Sequence, residues 1–150
     1  DGINSPKPYA LKLQHKHLPE MQAVTGLDFP PIFLPVAADF YNGMAVSVPL
    51  ATRMFNMKFS AANIREVLAE FYAGERFVHV MPYNEDNLLD ESGFFNPEAC
   101  NGTNHVEVFV FGHEEQIMIM TRFDNLGKGA SGAAVQNMNI MLGLDEALGL

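Results

Sequence analysis

The chain has 150 residues, of which 48% are hydrophobic and 18% are charged, and its 18 acidic and 9 basic residues give a formal net charge of −9. This composition predicts one globular domain with a buried core, and the absence of a basic run argues against nucleic-acid binding. A single cysteine excludes an intrachain disulfide and favours a reducing compartment, while the lack of a long apolar stretch or a signal-peptide pattern argues against a membrane or secreted protein.

The first part of the chain predicts short elements punctuated by proline and glycine. Residues 9–14 alternate loosely, which is typical of an extended segment. A proline and a glycine mark the start and the end of a short helix at about 19–25. Residues 29–35 predict a proline-punctuated strand or strand edge, and the alternation of large and small side chains over 43–51 predicts a further strand.

The middle of the chain predicts a helix, a strand and a long irregular segment. Ser60 is a natural N-cap, and the apolar residues that follow at helical spacing end before Gly74. Residues 77–81 predict a short strand. Residues 83–102 contain turn formers and acids without a clear period, and we expect them to form a long excursion on the surface.

The last part of the chain predicts a hairpin and a final helix. Residues 106–111 and 116–122 flank a Gly-His-Glu-Glu turn, and residues 128–142 form a helix with a face of small residues. Both alternating positions of the hairpin strands are apolar, which predicts a sheet covered on both faces. A second subunit, a missing domain or the folded-back excursion could provide that cover, and we favour the second subunit.

Three glycines match the pattern of a dinucleotide fingerprint between a strand and a helix, namely Gly127, Gly129 and Gly132. A nucleotide-binding fold needs a further strand and an acidic residue about 20 positions later, and too few residues follow Gly132 for that. We therefore expect these glycines to allow a helix start to pack against another backbone, and not to form a self-contained NAD site.

Two histidines stand two residues apart and would share one face of an extended segment. A zinc site needs three or four ligands, and neither Cys100 nor His79 has a supporting motif, so no metal site is predicted. His17 lies just before the predicted helix, where the positive end of the helix dipole disfavours the imidazolium form. A neutral histidine suits proton transfer, and Glu20 in the first turn could hold its ring. On chemistry alone, histidines placed like His15 and His17 are more often ordinary surface residues than catalytic ones.

Taken in order, several blocks of the sequence resemble N-acetyl-gamma-glutamyl-phosphate reductase. Tyr9 followed by the run His-Lys-His-Leu-Pro-Glu at 15–20 is similar to the family's Tyr and His-Arg-His-x-Pro-Glu pattern. A Gly-Thr-Asn run before the hairpin and the segment 124–139 are similar to the family's C-terminal signature. The resemblance covers nearly the whole chain, although Asn42 stands where many members carry arginine.

This resemblance implies the C-terminal substrate and dimerisation domain of an NADP-dependent oxidoreductase of arginine biosynthesis. The family reduces an acyl phosphate, N-acetyl-glutamyl phosphate, to its semialdehyde. It uses a cysteine thiolate from a Gly-Cys-Tyr-Pro-Thr motif and a Rossmann domain for NADP, and neither is found in this chain. The resemblance therefore implies that the fragment alone is inactive.

The resemblance also implies roles for individual residues. By position, His17 is the first choice for handling protons and His15 the second, with Glu20 orienting the ring and Tyr9 contacting the substrate.

The cofactor would be bound mainly by the missing domain. Asn125 and Gly129 would add contacts to NADP only in its presence. Cys100 lies in a different block from the family's catalytic cysteine, and a lone cysteine is more often structural.

The expected fold is α+β, with a mainly antiparallel mixed sheet, helices on one face and a dimer contact on the other. It resembles the C-terminal domain of semialdehyde dehydrogenases and is expected to form a single domain over 1–150. Expected partners are the acyl-phosphate substrate and further copies of the chain, with no nucleic acid, no membrane and a cytoplasmic location. Two alternatives stay open: a non-catalytic dimerisation or binding module, and an aspartate-semialdehyde dehydrogenase-type enzyme, which lacks the His-x-His-x-Pro-Glu pattern.

Overall fold

The structure is a computed structural model that describes residues 5–83 and 85–150. It divides into two compact units, Asp1–Tyr41 and Asn42–Leu150. The single domain expected over 1–150 stays a prediction.

The first unit contains two very short strands and one helix. Strand β1 (Lys7–Pro8) pairs antiparallel with β2 (Val36–Ala37), and helix α1 (Leu18–Thr25) lies between them in the chain. The helix ends at Gly26, whose left-handed conformation (φ 68°) lets its N–H donate to the Gln22 carbonyl at 2.9 Å. The predicted helix is confirmed.

Two predictions for the first unit are wrong. Residues 9–14 form a turn and not an extended segment, with Ala10 and Leu13 both at positive φ and the Leu13 N–H donating to the Ala10 carbonyl. Residues 29–35 form no strand, because their three prolines lack the N–H that a ladder requires. Pairing begins only at β2, directly after the last of these prolines.

The second unit is a four-stranded sheet with helices. Its strands lie in the order β3 (Met44–Ala51), β6 (Gln116–Phe123), β5 (Val106–Gly112) and β4 (Val78–Val80). Strand β6 is antiparallel to both neighbours, and β4 is parallel to β5. This mixed, mainly antiparallel sheet confirms the predicted α+β class. The elements in chain order are β3 (Met44–Ala51), α2 (Ala61–Phe71), β4 (Val78–Val80), β5 (Val106–Gly112), β6 (Gln116–Phe123) and α3 (Gly132–Met141).

Helix α2 begins at the predicted cap. The Ser60 hydroxyl accepts from the Asn63 N–H at 3.1 Å, and the Asn63 side chain accepts from the Ser60 N–H in return. This reciprocal pair satisfies two of the donors that a helix start leaves open. Farther along the helix, Arg65 donates to the carbonyls of Val80 and Met81, so it also covers the free edge of β4.

Helix α2 packs against one face of the sheet, and the two together form a core cluster. Ala61 lies against Val110 and Ile117, and all three are at most 2% exposed. Partly buried apolar residues surround them, including Leu50 and Ile64. The helical and strand periodicities predicted from the sequence therefore meet in a single cluster.

The opposite face of the sheet is covered by the irregular segment. Phe109 is fully buried, and its ring meets the ring of Phe95 at 5.0 Å. Leu88 and Cys100 of the same segment are buried as well. The prediction that residues 83–102 lie on the surface is therefore wrong in part. The expectation that a second subunit covers the sheet is also wrong at Phe109, which the chain's own segment covers. Exposing this apolar face to water would be unfavourable, and the irregular segment buries it where no helix does.

The edge strand β3 carries exposed apolar side chains. Met44, Val46 and Val48 of β3 share one face of the strand and are 41%, 39% and 45% exposed. We call these three residues the β3 strip. A second subunit as the cover of this strip stays a prediction.

The final helix is confirmed and starts in an unusual way. Residues Gly127–Ser131 form a π turn, in which the Ser131 N–H donates to the Leu126 carbonyl, and α3 continues from it. Met138 and Met141 on this helix are exposed. In the described part of the chain, no helix has the length and apolar character needed to cross a membrane.

Candidate functional site

The first unit gathers the predicted histidines into an aromatic cluster. His15 lies at its centre, with ring centroids 4.8 Å from His17, 5.0 Å from Phe33 and 6.0 Å from Tyr9. All three contacts are edge-on. His15 is half-buried, whereas His17 and Tyr9 are exposed. The structure therefore brings together three of the predicted site residues.

The two histidines differ in how they are held. His17 is the N-cap residue of α1, and its side chain makes no capping bond. Its backbone N–H donates to Nδ1 of His15 at 3.3 Å. An accepting Nδ1 carries no proton, which leaves the proton of a neutral His15 ring on Nε2. His15 thus holds the backbone of its neighbour, and the imidazole of His17 faces solvent.

Glu20 lies in the first turn of α1, as predicted. Its carboxylate makes no hydrogen bond to either histidine within the described ranges, so its role as orienter stays a prediction. Tyr9 is anchored through its backbone N–H, which donates to the Pro35 carbonyl at 3.0 Å. Its ring is left accessible.

Phe33 was missed because it lies in a segment predicted as a strand. It forms an edge contact with His15 and is only half-exposed, unlike the strongly exposed Phe29 of the same segment. No local pattern distinguishes these two phenylalanines.

The second unit contains a buried carboxylate, that of Asp124, at the centre of a hydrogen-bond network. Asp124 is 4% exposed and accepts four hydrogen bonds. Its Oδ1 accepts from the N–H groups of Leu126 and Gly127, both at 2.9 Å. Its Oδ2 accepts from Asn42 Nδ2 at 2.8 Å and from the Gly102 N–H at 2.9 Å.

These donors make the charged form of Asp124 the stable one. The N–H groups of Gly102 and Gly127 lower the pKa of Asp124 to about 2, against the raising effect of burial. The carboxylate is therefore ionised at neutral pH without a cationic side chain among its four donors.

Asn125, a predicted cofactor contact, is tied to the start of β3. Its Oδ1 accepts from the Gly43 N–H at 2.7 Å. Gly43 is buried at φ 114°, and a Cβ there would lie 3.0 Å from the Pro97 carbonyl oxygen, so the position requires glycine. Asn101 completes the network by donating to Asn42.

The three fingerprint glycines serve packing, as expected. A Cβ at Gly132 would overlap Asn104 Oδ1, and one at Gly129 would lie 3.2 Å from the Phe123 ring. A Cβ at Gly127 would press on the Asp124 carboxyl group. The expected contacts of Asn125 and Gly129 with NADP stay predictions.

A second polar cluster lies along the last helix and was missed by the sequence analysis. Gln136 Oε1 accepts from Lys128 Nζ and from Asn104 Nδ2, and Gln136 Nε2 donates to Glu146 at 2.6 Å. Burial lowers the pKa of Lys128, while the nearby carboxylates of Glu146 and Glu75 raise it. Lys128 lies in the π turn and Gln136 on α3, so no regular helical spacing marks this cluster in the sequence.

Cys100 is a buried residue of the irregular segment. Burial, followed by the negative charge of Glu107, raises the pKa of its thiol above the usual range, and Arg122 opposes this. A thiol of this kind is a poor nucleophile at neutral pH, which supports a structural role.

Among the remaining histidines, His79 Nε2 and His105 Nδ1 are 2.8 Å apart. No third histidine, cysteine or acidic residue of the described segments joins them in a group that could hold a metal ion.

Comparison with known proteins places these features in a family. The profile described as "Semialdehyde dehydrogenase, dimerisation domain" matches residues 3–125. The N-acetyl-gamma-glutamyl-phosphate reductase 2 of Nostoc sp. is 48% identical over 95% of this chain and 45% of its own length. The corresponding reductase of Trichormus variabilis is 46% identical over 95% and 45%, and reductase 2 of Pseudomonas putida is 41% identical over 94% and 45%. The chain thus spans less than half the length of these relatives.

Proposed function

The chain belongs to the semialdehyde dehydrogenase dimerisation-domain family, and from this we propose that it is the C-terminal part of an N-acetyl-gamma-glutamyl-phosphate reductase. The similarity to reductases of that name over nearly the whole chain carries the proposal. The intact enzyme would reduce the acyl phosphate of N-acetyl-glutamate to its semialdehyde, in the cytoplasm and as a step of arginine biosynthesis.

The reaction requires a thiolate and a hydride donor in addition to this chain. The only cysteine of the chain, Cys100, is a buried thiol with a raised pKa, which supports a nucleophile located in another part of the enzyme. NADPH would supply the hydride. The fit of this chain to the cofactor rests on Asn125, whose amide nitrogen donates to none of the described residues while its oxygen is occupied.

His17 is the residue that we assign to proton transfer. Its exposed imidazole makes no capping bond at the start of α1, which leaves the ring accessible to the reacting groups. In this role the imidazole would accept the thiol proton as sulfur attacks the acyl carbon and phosphate leaves. It returns that proton when the thiolate is released with the aldehyde. His15 positions the backbone of His17, and in the intact enzyme Glu20 would orient the ring and Tyr9 would contact the substrate.

A direct assay of the intact protein tests this function. We expect NADP reduction from N-acetyl-glutamate semialdehyde and inorganic phosphate, which is the reverse reaction, followed by nicotinamide absorbance. Activity with aspartate semialdehyde in its place would instead favour the aspartate-semialdehyde dehydrogenase type. Absence of both activities would favour a non-catalytic dimerisation or binding module.

The β3 strip supports a homo-oligomer as the assembled form. Three apolar side chains exposed side by side on one strand edge are typical of an interface between copies, and the family's description names dimerisation. We expect Val46→Asp to shift the enzyme from dimer to monomer in size-exclusion chromatography with light scattering, because a carboxylate in an apolar contact loses its hydration.

The matched control is Val67→Asp on α2, which changes a valine that is 58% exposed outside the strip. A dimer that survives Val46→Asp, or one that Val67→Asp also disrupts, would place the subunit contact elsewhere.

A further inference from the structure

Asp124 immediately precedes Asn125, and its carboxylate holds the backbone that follows Asn125. Its Oδ1 accepts from the N–H groups of Leu126 and Gly127 at 2.9 Å each, which is the pattern of an Asx turn. The backbone on the C-terminal side of Asn125 is therefore held by the residue on its N-terminal side.

The same carboxylate also holds the partner of the Asn125 side chain. Its Oδ2 accepts from Asn42 Nδ2 at 2.8 Å. Asn42 precedes Gly43, whose N–H donates to Asn125 Oδ1 at 2.7 Å. Asp124 thus fixes both the backbone that carries Asn125 and the donor that occupies its oxygen.

This arrangement sets the direction of the Asn125 amide. Only the oxygen of an amide accepts an N–H, so the bond from Gly43 places the NH₂ group on the other side. That group donates to none of the described residues, and the side chain is not fully buried. Asn125 therefore has a fixed amide donor that no described residue accepts.

We propose that Asp124 is a positioning residue for the cofactor, acting through Asn125, whose amide nitrogen donates to an acceptor oxygen of the bound nicotinamide nucleotide. This rests on the proposed reductase function. A preset donor binds without the cost of ordering a free side chain, so the contribution of Asn125 depends on Asp124. Asp124 itself is buried, so its effect on the cofactor is exerted through Asn125.

A double-mutant cycle on the KM for NADPH in the intact enzyme tests this coupling. Asn125→Asp keeps the oxygen that accepts from Gly43 and replaces the NH₂ donor by an acceptor. We expect it to raise the KM about tenfold or more, as the loss of one directed hydrogen bond allows. Asp124→Asn should raise the KM by several-fold in the wild-type background, with a smaller effect on kcat.

The decisive comparison is Asp124→Asn in the Asn125→Asp background. We expect no further rise in KM there, whereas the loss of thermal stability should persist. An equal rise in both backgrounds, or a stability loss with an unchanged KM, would overturn the proposal. Asp145→Asn is the control, because Asp145 is an exposed partner of Arg76 and should leave the KM unchanged.

A milder variant covers the case in which Asp124→Asn fails to fold. Asn42→Ala removes one of the four hydrogen bonds to Asp124, and its smaller effect on KM should likewise vanish in the Asn125→Asp background. Persistence of that effect would contradict the proposal. A wild-type enzyme without NADPH-dependent activity would refute the proposed function itself, which is a separate outcome.

Discussion

The histidine cluster of the first unit and the Asp124 network of the second are built in opposite ways. The cluster is joined by edge-on ring contacts and one 3.3 Å hydrogen bond, and His17 faces solvent. Asp124 accepts four bonds of 2.8–2.9 Å from three separate parts of the chain and is buried. Groups proposed to react are thus held loosely, and the group proposed to position others is held tightly.

The difference teaches where substitutions should act. A side chain that few contacts hold can be replaced with little loss of stability, so its loss appears in turnover. A buried carboxylate with four donors leaves all of them without a partner when it is removed, so its loss appears in the free energy of unfolding.

The largest expected effect belongs to the cluster. Replacing His17 with Asn in the intact enzyme should lower turnover on the order of 10²–10⁴-fold, as expected for a positioned acid–base group. The melting temperature should stay nearly unchanged, because the side chain is exposed and makes no capping hydrogen bond.

The matched variant is His15→Asn, which should cost less turnover and more stability, since His15 is half-buried among three rings. Steady-state kinetics and thermal unfolding of both variants decide the assignment. A larger loss of turnover for His15→Asn would reverse the two roles.

The Asp124 network should reveal itself at low pH. Because its donors hold the pKa of Asp124 at about 2, the folded state binds this proton less readily than the unfolded chain, whose aspartates have a pKa of 3.8. The stabilisation is therefore present above the unfolded value and is lost as pH falls through the folded one. We expect Asp124 to contribute about 1–2 kcal/mol that disappears between about pH 5 and about pH 2.

Urea unfolding at a series of pH values measures this contribution. The wild type should lose more stability on acidification than Asp124→Asn, which has no carboxyl group at this position. Asp145→Asn provides the comparison, because Asp145 also has a lowered pKa, owing to the Ala147 N–H and to Arg76, yet is exposed. Equal acid slopes in the wild type and Asp124→Asn would show that the network contributes no such linkage.

Local patterns were sufficient for the elements with clear periodicity. The hairpin, helix α2 with its Ser60 cap, and strand β3 lie where the sequence predicts them, because caps and apolar spacing act within a few residues. The strand predicted at 29–35 failed because its prolines outweigh its apolar character.

Contacts between distant residues could not be predicted in this way. Phe95 looks like part of a surface loop until its ring meets Phe109. The Asp124 donors Asn42 and Gly102 lie 82 and 22 positions away. The family signature pointed to Asn125 as a cofactor contact, but its orientation by Gly43 depends on the fold.

The smallest expected effect asks whether the ring contacts in the histidine cluster matter at all. Phe33→Leu removes the edge contact to His15 and keeps an apolar side chain of similar reach. An aromatic pair contributes about 0.5–1.5 kcal/mol beyond its buried area. Since His15 holds the backbone of His17 through its Nδ1, a more mobile His15 should lower kcat by about twofold to tenfold.

Phe29→Leu is the control, because Phe29 is 81% exposed and makes no ring contact among the described residues. If both variants keep full turnover, the cluster is held by its hydrogen bond and backbone alone, and the contrast with the Asp124 network is smaller than the ring geometry indicates.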